Sequence, residues 1–333
     1  MRARVIAGPS WTRSADDART DFTLSRAELG ARLALGPHLA LDAQVDAVRS
    51  ASPSSLFGVS GNALVLVLSR AYGEVALDLG PGRLEARMGL VPDPVVDAVE
   101  GAQGLRVMAD PLAESGAFHW RSDIGATLGW RGLDDRLALT LAVTTGEGAR
   151  DVELDDAKDL LVLARGDLWT GRLFDAPARL RLAAGYRVGT RGIASVDDDR
   201  AFALAALLSQ RLGLGLEAHL AFGYDARADR EVRGLGAWVR AMPWEVMGFG
   251  LRLDWMQLDA AVTGSDRVVV EAGVIADLAA AFGIADRTFR LFAGWRGERV
   301  GASAAAVTGL QSTSDADSLL LVLEVATAAA PVW

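Results

Sequence analysis

Few side chains in this chain of 333 residues could support hydrolytic or metal chemistry. It has three histidines, His38, His119 and His219, and no cysteine. A thiol nucleophile and a thiolate metal site are therefore excluded, and three scattered histidines give no ligand cluster. Ser122 and Asp123 lie close to His119, but neighbours on a strand point to opposite faces and do not assemble a serine–histidine–acid set. We predict no catalytic residue, no metal and no cofactor.

Arginine and carboxylate side chains are the more abundant chemical groups. The chain has 34 basic and 43 acidic residues, a net charge of -9 and a pI near 5.0. An acidic protein lacks the basic surface that nucleic-acid phosphates require, so we expect no nucleic-acid partner. Charged side chains along a narrow aqueous passage tune which ions and solutes pass. Their role therefore depends on the elements that position them.

Apolar residues recur at every second position over most of the chain. From Ala27 to Leu35 they alternate with polar or small residues, and the pattern resumes after Gly36-Pro37. A period of two is the signature of a β-strand with one apolar and one polar face. The longest aliphatic run, Ala63 to Leu68, is far shorter than the roughly 20 residues of a membrane-spanning helix. The pattern predicts an all-β chain.

Four segments fit the alternation less cleanly, although their lengths suit strands. They lie around residues 160–168, 202–211, 232–242 and 267–277. Two stretches, Ala201 to Leu208 and Asp277 to Ile284, are also compatible with short helices.

Strand length and aromatic positions favour a barrel in a membrane over a soluble sandwich. Many segments hold the alternation for about 9–11 residues, the length of a tilted transmembrane strand. Aromatic residues fall into two groups at opposite strand ends, as in the girdles of outer-membrane barrels. One group lies beside short turns and the other beside longer connections: Trp130, Trp169, Trp244 and Trp333, then Tyr186, Tyr224, Trp255 and Trp295. We predict one transmembrane antiparallel up-and-down β-barrel domain over residues 1–333.

Short and long connections alternate along the chain, which predicts short periplasmic turns and longer external loops. From residue 24 onward the strands are odd in number, and both chain ends reach the periplasm only if one more strand is present. The segment Ala3 to Gly8 can supply it. The count becomes about sixteen, a size that leaves an aqueous channel. The longest connection, 92–118, is then the third external loop.

Several stretches within roughly residues 20–190 share the motifs of a known family: Phe22 to Gly36, Ala71 to Leu79, Arg87 to Pro94, Arg121 to Gly129, and Thr145 to Gly148 with Lys158-Asp159. Together they resemble the phosphate-selective porin family, the sixteen-stranded bacterial β-barrel porins. The resemblance implies a channel that is often a homotrimer, with its third loop folded into the pore. The terminal Trp333 is similar to the aromatic residue read by the barrel assembly machinery, while Pro331 departs from the usual uninterrupted final strand.

The alternation of inward and outward positions along each strand, called the strand phase, predicts which charged residues line the pore. The predicted lining residues are Arg26, Arg32, Arg83, Arg87, Arg165, Arg179, Arg181, Arg187, Arg252, Glu74, Glu85 and Asp123. Loop 92–118 carries Asp93, Asp97, Glu100, Asp110 and Glu114 against Arg106 alone. We expect this acidic loop to fold inward, face a wall rich in arginine and form a constriction with a transverse field. The alternative is a solvated external loop and no focused field.

We therefore expect a passive diffusion channel for small hydrophilic solutes or ions, and not an enzyme. Its place would be the bacterial outer membrane, as a mature chain whose signal peptide is absent from this sequence. Its partners would be outer-membrane lipid, the permeating solutes, the barrel assembly machinery and two further copies of the chain. Two alternatives stay open: a barrel hydrolase at the cell surface with His119 or His219 as base, and a soluble all-β binding protein.

Overall fold

Sixteen antiparallel strands form a closed barrel. The computed structural model describes residues 2–14, 18–50, 63–105, 108, 110–116, 118–146, 158–189, 198–223, 230–284, 288–304 and 315–326. Each strand pairs with its neighbours in sequence, and β1 pairs with β16 to close the barrel. The first strand extends over Arg2–Ser14. It contains Ala3 to Gly8, the segment expected to supply the additional strand. The sixteen-strand expectation is confirmed.

The strands range from 8 to 17 residues. Their bounds are β1 Arg2–Ser14, β2 Ala18–Ala34, β3 Leu39–Ser50, β4 Ala63–Leu79, β5 Gly82–Pro92, β6 Ser122–Gly132, β7 Leu137–Thr144, β8 Asp159–Leu173, β9 Ala176–Val188, β10 Asp199–Ser209, β11 Leu212–Phe222, β12 Glu231–Ala241, β13 Met247–Gln257, β14 Asp266–Asp277, β15 Thr288–Val300 and β16 Ala316–Ala326.

The faces of the barrel are inverted relative to a water-soluble protein. On β13, Leu251 and Leu253 are 45% and 44% exposed, whereas Arg252 and Asp254 are 2% and 7% exposed. Apolar residues point outward and charged residues inward along most strands. Each Å² of apolar surface left in water costs about 25 cal/mol, and a contiguous apolar surface marks contact with a partner or membrane. None of the helices in the described residues is long and apolar enough to span a membrane.

Short turns connect the strands at one end of the barrel, called the turn end. The hairpin turn at Phe174 and Asp175 has φ of 50° and 61°, the left-handed conformation of two-residue turns that match strand twist. Between β14 and β15, Leu278–Ala281 form a short helix, with the Asp277 carboxylate accepting from the Ala280 amide. The helical alternative is confirmed there, but it is wrong for Ala201 to Leu208, which lies in β10.

Most connections at the opposite end, called the loop end, are longer, although only residues 15–17 join β1 to β2. The third connection at this end joins β5 to β6 and folds into the barrel, with helices α1 (Pro94–Gln103) and α2 (Leu112–Ser115). The helix of the β14–β15 turn is α3. Because β6 begins at Ser122, this connection continues to residue 121, three residues beyond the expected boundary. We call residues 93–121 the inner loop.

The inner loop creates an apolar core inside the barrel. Val95, Val96 and Val99 of α1 are at most 1% exposed. They belong to one cluster with inward residues of the wall, among them Leu161 and Leu163 of β8 and Phe202, Leu204 and Leu208 of β10. At these residues the two strands are therefore apolar on both faces, one towards the outside and one towards α1. This explains why the segments around 160–168 and 202–211 depart from the period of two.

The lumen and the loop that enters it

Asp93 begins α1 and also fastens it to the wall. Its Oδ1 accepts hydrogen bonds from the amides of Val95 (2.8 Å) and Val96 (3.3 Å), which satisfies donors that a helix start leaves open. Its Oδ2 lies 3.5 Å from Nη1 of Arg187 and 3.4 Å from Nδ1 of His119. The same carboxylate therefore caps the helix and bonds it to β9.

One guanidinium joins the inner loop to three strands. Arg187 donates from Nε to Asp159 Oδ2 at 2.7 Å and from Nη2 to Asp123 Oδ2 at 3.1 Å. Arg187 and these three aspartates, Asp93 included, are 2–5% exposed. A buried charge needs close, hydrogen-bonded partners. The predicted residues Asp93, Asp123 and Arg187 thus meet in one buried cluster.

The two titratable loop groups of this cluster have shifted pKa values. Burial alone would raise the pKa of Asp93, but His119, Arg187 and the Val95 amide outweigh it and hold the pKa at about 2. Burial lowers the pKa of His119 to about 4, and Arg200 adds to this effect against the opposing attraction of Asp93. Asp93 is therefore charged and His119 neutral near pH 7.

The other predicted loop acids also meet arginines. Asp110 and Glu114 each have a carboxylate oxygen 3.0 Å from Nη2 of Arg26 on β2. Asp97 lies 3.4 Å from Arg70 of β4, and Glu100 lies 4.0 Å from Arg121. Arg106 is outside the described residues. Asp97, Asp110 and Glu114 thus pair with arginines of the barrel wall, whereas the Glu100–Arg121 pair lies within the inner loop.

The strand phases missed two of these arginines, Arg70 and Arg121. The pairing of β3 with β4 shifts register between Gln44 and Val45, so Arg70 faces inward only after the irregularity is counted. Arg121 precedes β6 and has no strand phase. It donates to Glu28 at 2.7 Å. Both are arginines, the residue type expected to line the lumen. The alternation of inward and outward positions could not be extended to either of them.

A second charged network lies on β4 and β5 and is more open. Arg87 donates to Glu74 at 2.9 Å, and its guanidinium lies 5.5 Å from the centroid of the Tyr72 ring. Arg32 also donates to Glu74. The side chains of Arg32 and Arg83 are 46% and 47% exposed. These arginines are accessible to solutes in the lumen.

A third group lies on β8 and β9. Arg181 makes a two-point contact with Asp167, at 2.7 and 3.1 Å. Arg179 lies 3.5 Å from the same carboxylate, and Arg165 shares this wall. All the predicted lining residues of the strands occupy inward positions. Six of them are at most 6% exposed: Arg26, Arg181, Arg187, Arg252, Glu74 and Asp123.

Two of the three histidines, His119 and His219, belong to the attachment of the inner loop, whereas His38 lies in the turn between β2 and β3. His119 and His219 are 1% and 3% exposed, with ring centroids 6.0 Å apart. His219 stacks on Phe118 and lies 3.1 Å from Glu217, whose other oxygen accepts from Gln103 at the end of α1. Among the described residues, no three His, Asp or Glu side chains are arranged to hold a metal ion.

Outward-facing aromatic residues lie near both ends of the barrel. Trp169 is 43% and Trp244 is 60% exposed towards the turn end, while Tyr186 is 45% and Trp295 is 37% exposed towards the loop end. Trp130 and Trp255 complete the two groups. Tyr224 and Trp333 lie outside the described residues.

Solved structures with a similar architecture include porins of the bacterial outer membrane. The chain is similar to an anion-selective porin of Comamonas acidovorans (12% identity, 98% of this chain and 99% of that one, TM-score 0.59). It is also similar to OmpF of Salmonella typhi (11%, 98% and 96%, 0.60) and to the high-pH form of Pseudomonas putida OprB (10%, 98% and 93%, 0.63). No family model and no curated protein matches the sequence.

At this identity the likeness establishes the fold alone. The chain has the sixteen-stranded fold of outer-membrane porins, and the resemblance of the sequence to porins is confirmed at this level. The comparisons do not confirm the phosphate-selective subtype.

Proposed function

We propose that the chain is a passive diffusion channel of the bacterial outer membrane for small hydrophilic solutes or ions. The observation that carries the proposal is the inner loop, which lies inside a barrel with an apolar outside and a charged inside. The porin fold of the similar structures supports the same function.

Selection would follow from size and from charge at the narrowed section. The inner loop packs on β10 and β11 and contacts arginines of β2 and β4 on its other side, so it divides the lumen. A cavity of about 310 Å³ lies between the loop and the wall and has both Arg26 and Glu271 in its lining. Solutes would pass beside closely spaced charges of both signs, which favour polar over apolar solutes.

Lipid contact and assembly follow from the same proposal. The exposed leucines of the outer face would contact the acyl chains of the outer membrane. Association as a trimer and recognition by the barrel assembly machinery remain proposals that rest on the porin fold. The hydrolase alternative has less support, because His119 of the inner loop and His219 of β11 are both buried. A soluble binding protein would expose the outer leucines to water at a high cost.

Swelling of liposomes that contain the purified protein tests the proposal. We expect swelling in small sugars and amino acids at rates that fall with solute size, and heat-modifiable mobility on gels before reconstitution. A folded, lipid-inserted protein that admits none of these solutes would refute the channel. Solubility without detergent would refute the membrane barrel.

A further inference from the structure

The cavity of about 310 Å³ between the inner loop and the wall combines apolar and charged side chains. We call it the loop cavity. Ile6, Met108, Leu112 and Met256 are at most 7% exposed and supply its apolar part. Among the described residues, four arginines and three carboxylates supply its charged part. The volume lies at the lower end of the range of about 300–1,000 Å³ for small-molecule sites, so the loop cavity has room for one small solute.

Each arginine of the loop cavity has a carboxylate partner. The pairs are Arg26 with Asp110 at 3.0 Å, Arg252 with Asp254, Arg267 with Glu298 at 2.8 Å, and Arg296 with Glu271 at 3.0 Å. The carboxylates of Glu271 and Glu217 act on Arg252 as well. The guanidinium charges of the lining are therefore neutralised by the protein itself.

One carboxylate oxygen of the loop cavity has no hydrogen-bond partner. Oε1 of Glu271 accepts from Nη1 of Arg296 at 3.0 Å. Its Oε2 is buried and accepts from no group in the part of the chain that the structure describes, and the residue is 1% exposed. A buried charged acceptor without a donor is costly. The group that this cavity lacks is therefore a hydrogen-bond donor, and a cationic donor makes the stronger bond.

The donor that fits is an ammonium group. No three His, Asp or Glu side chains of the described residues are arranged to hold a metal ion. A primary ammonium is a compact cation with three N–H donors, and one of them is enough for Oε2 of Glu271. A short apolar body attached to it would contact Met108, Leu112 and Met256, and burial of that apolar surface is favourable.

We propose that the loop cavity is a binding site for small primary ammonium compounds with a short apolar body, and that Glu271 accepts a hydrogen bond from the ammonium. The site follows from the cavity and from the unpaired oxygen. It rests on the proposed channel only where it names a solute class for passage, since conduction requires binding that is weak enough to release the solute again.

Stabilisation of the folded protein by n-butylammonium chloride tests the site without relying on conduction. A ligand that binds only the folded state stabilises it in proportion to the logarithm of its concentration. We expect n-butylammonium to raise the urea concentration at the unfolding midpoint in detergent. Tetramethylammonium has the same charge and no N–H donor, and at equal concentration it should leave the midpoint unchanged. If the two salts have the same effect on the wild type, the site is refuted and the channel is unaffected.

Two variants locate the effect. Glu271→Gln should abolish the difference between the two salts. Glu298→Gln is the matched control and should keep it, because Glu298 also contacts Arg296, at 3.7 Å, but lies outside the lining of the loop cavity. Equal losses in both variants would overturn the assignment to Glu271.

Block of the potassium current in planar bilayers connects the site to the channel. Half-block by n-butylammonium should need about tenfold more of the amine in Glu271→Gln, the size of one lost charge-assisted hydrogen bond, and should change by less than about twofold in Glu298→Gln. A wild-type protein that n-butylammonium stabilises but that carries no current would refute the channel and leave the site intact.

Discussion

Replacing Arg187 by glutamine should destabilise the barrel through the buried attachment of the inner loop. The change leaves Asp93, Asp123 and Asp159 without the guanidinium that lies 2.7–3.5 Å from each of them. Removing one partner of a buried ion pair costs about 3–5 kcal/mol, because the remaining charge stays buried.

The remaining hydrogen bonds reduce that cost. Asp123 still accepts from the hydroxyl of Thr145 at 2.7 Å and the amide of Gly146 at 2.9 Å, and Asp93 keeps the amides of α1. We therefore expect a loss near the lower limit, about 3 kcal/mol of unfolding free energy. The loop should also become mobile, which would add low-frequency noise to the open-channel current.

Equilibrium unfolding of the folded protein in detergent by urea measures the first effect, and single-channel recordings measure the second. Arg233→Gln is the control, because Arg233 pairs with Glu231 on the outside and is 51% exposed. Water screens both charges of this exposed pair, so the control should unfold at the same urea concentration as the wild type. Adding Asp159→Asn to Arg187→Gln should restore part of the stability. A loss below 1 kcal/mol in Arg187→Gln would refute the anchoring argument.

Three further predictions concern the inner loop. Val99→Glu buries a carboxylate in the apolar contact between α1 and the wall and should release the helix. Single-channel recordings should then show a higher conductance and more closures, whereas Val99→Ala should conduct as wild type does. Neutralising Asp93, Asp97 and Glu100 together should shift the reversal potential in asymmetric salt towards anion selectivity, and an unchanged potential and conductance would contradict a constriction at the loop. The free energy of unfolding should fall by about 3 kcal/mol between pH 6.5 and about 4. Over this range His119 takes up a proton in the unfolded chain and stays neutral in the folded one. In His119→Asn, the urea concentration at the unfolding midpoint should no longer fall with pH over this range.

The barrel could be predicted from the sequence because its outer face repeats one simple rule. Lipid-facing strands must be apolar at every second position, so the inward and outward positions of each strand followed from the spacing of Leu, Val and Ala. The count of about sixteen needed one further assumption, that both chain ends lie at the same end of the barrel. The rule weakened on β8 and β10, whose inward Leu163 and Phe202 pack on α1. Local pattern cannot tell an apolar residue that faces lipid from one that faces a helix inside the barrel.

The charged residues of the candidate site could be predicted from the sequence, but the ion pairs between them could not. The acids of loop 92–118 and the inward arginines were visible as residue types and phases. Which arginine meets which acid depends on the path of the inner loop across the lumen, as the contact of Arg26 with Glu114 illustrates. Arg70 and Arg121 were missed because one follows a register shift and the other lies outside the strands.

Single-channel recording of the purified, folded protein in a planar bilayer tests the central claim most directly. A passive channel narrowed by its inner loop predicts stepwise, long-lived openings in symmetric salt, with a conductance that rises when α1 is released from the wall. Folded protein that inserts into the bilayer and never conducts would contradict the account.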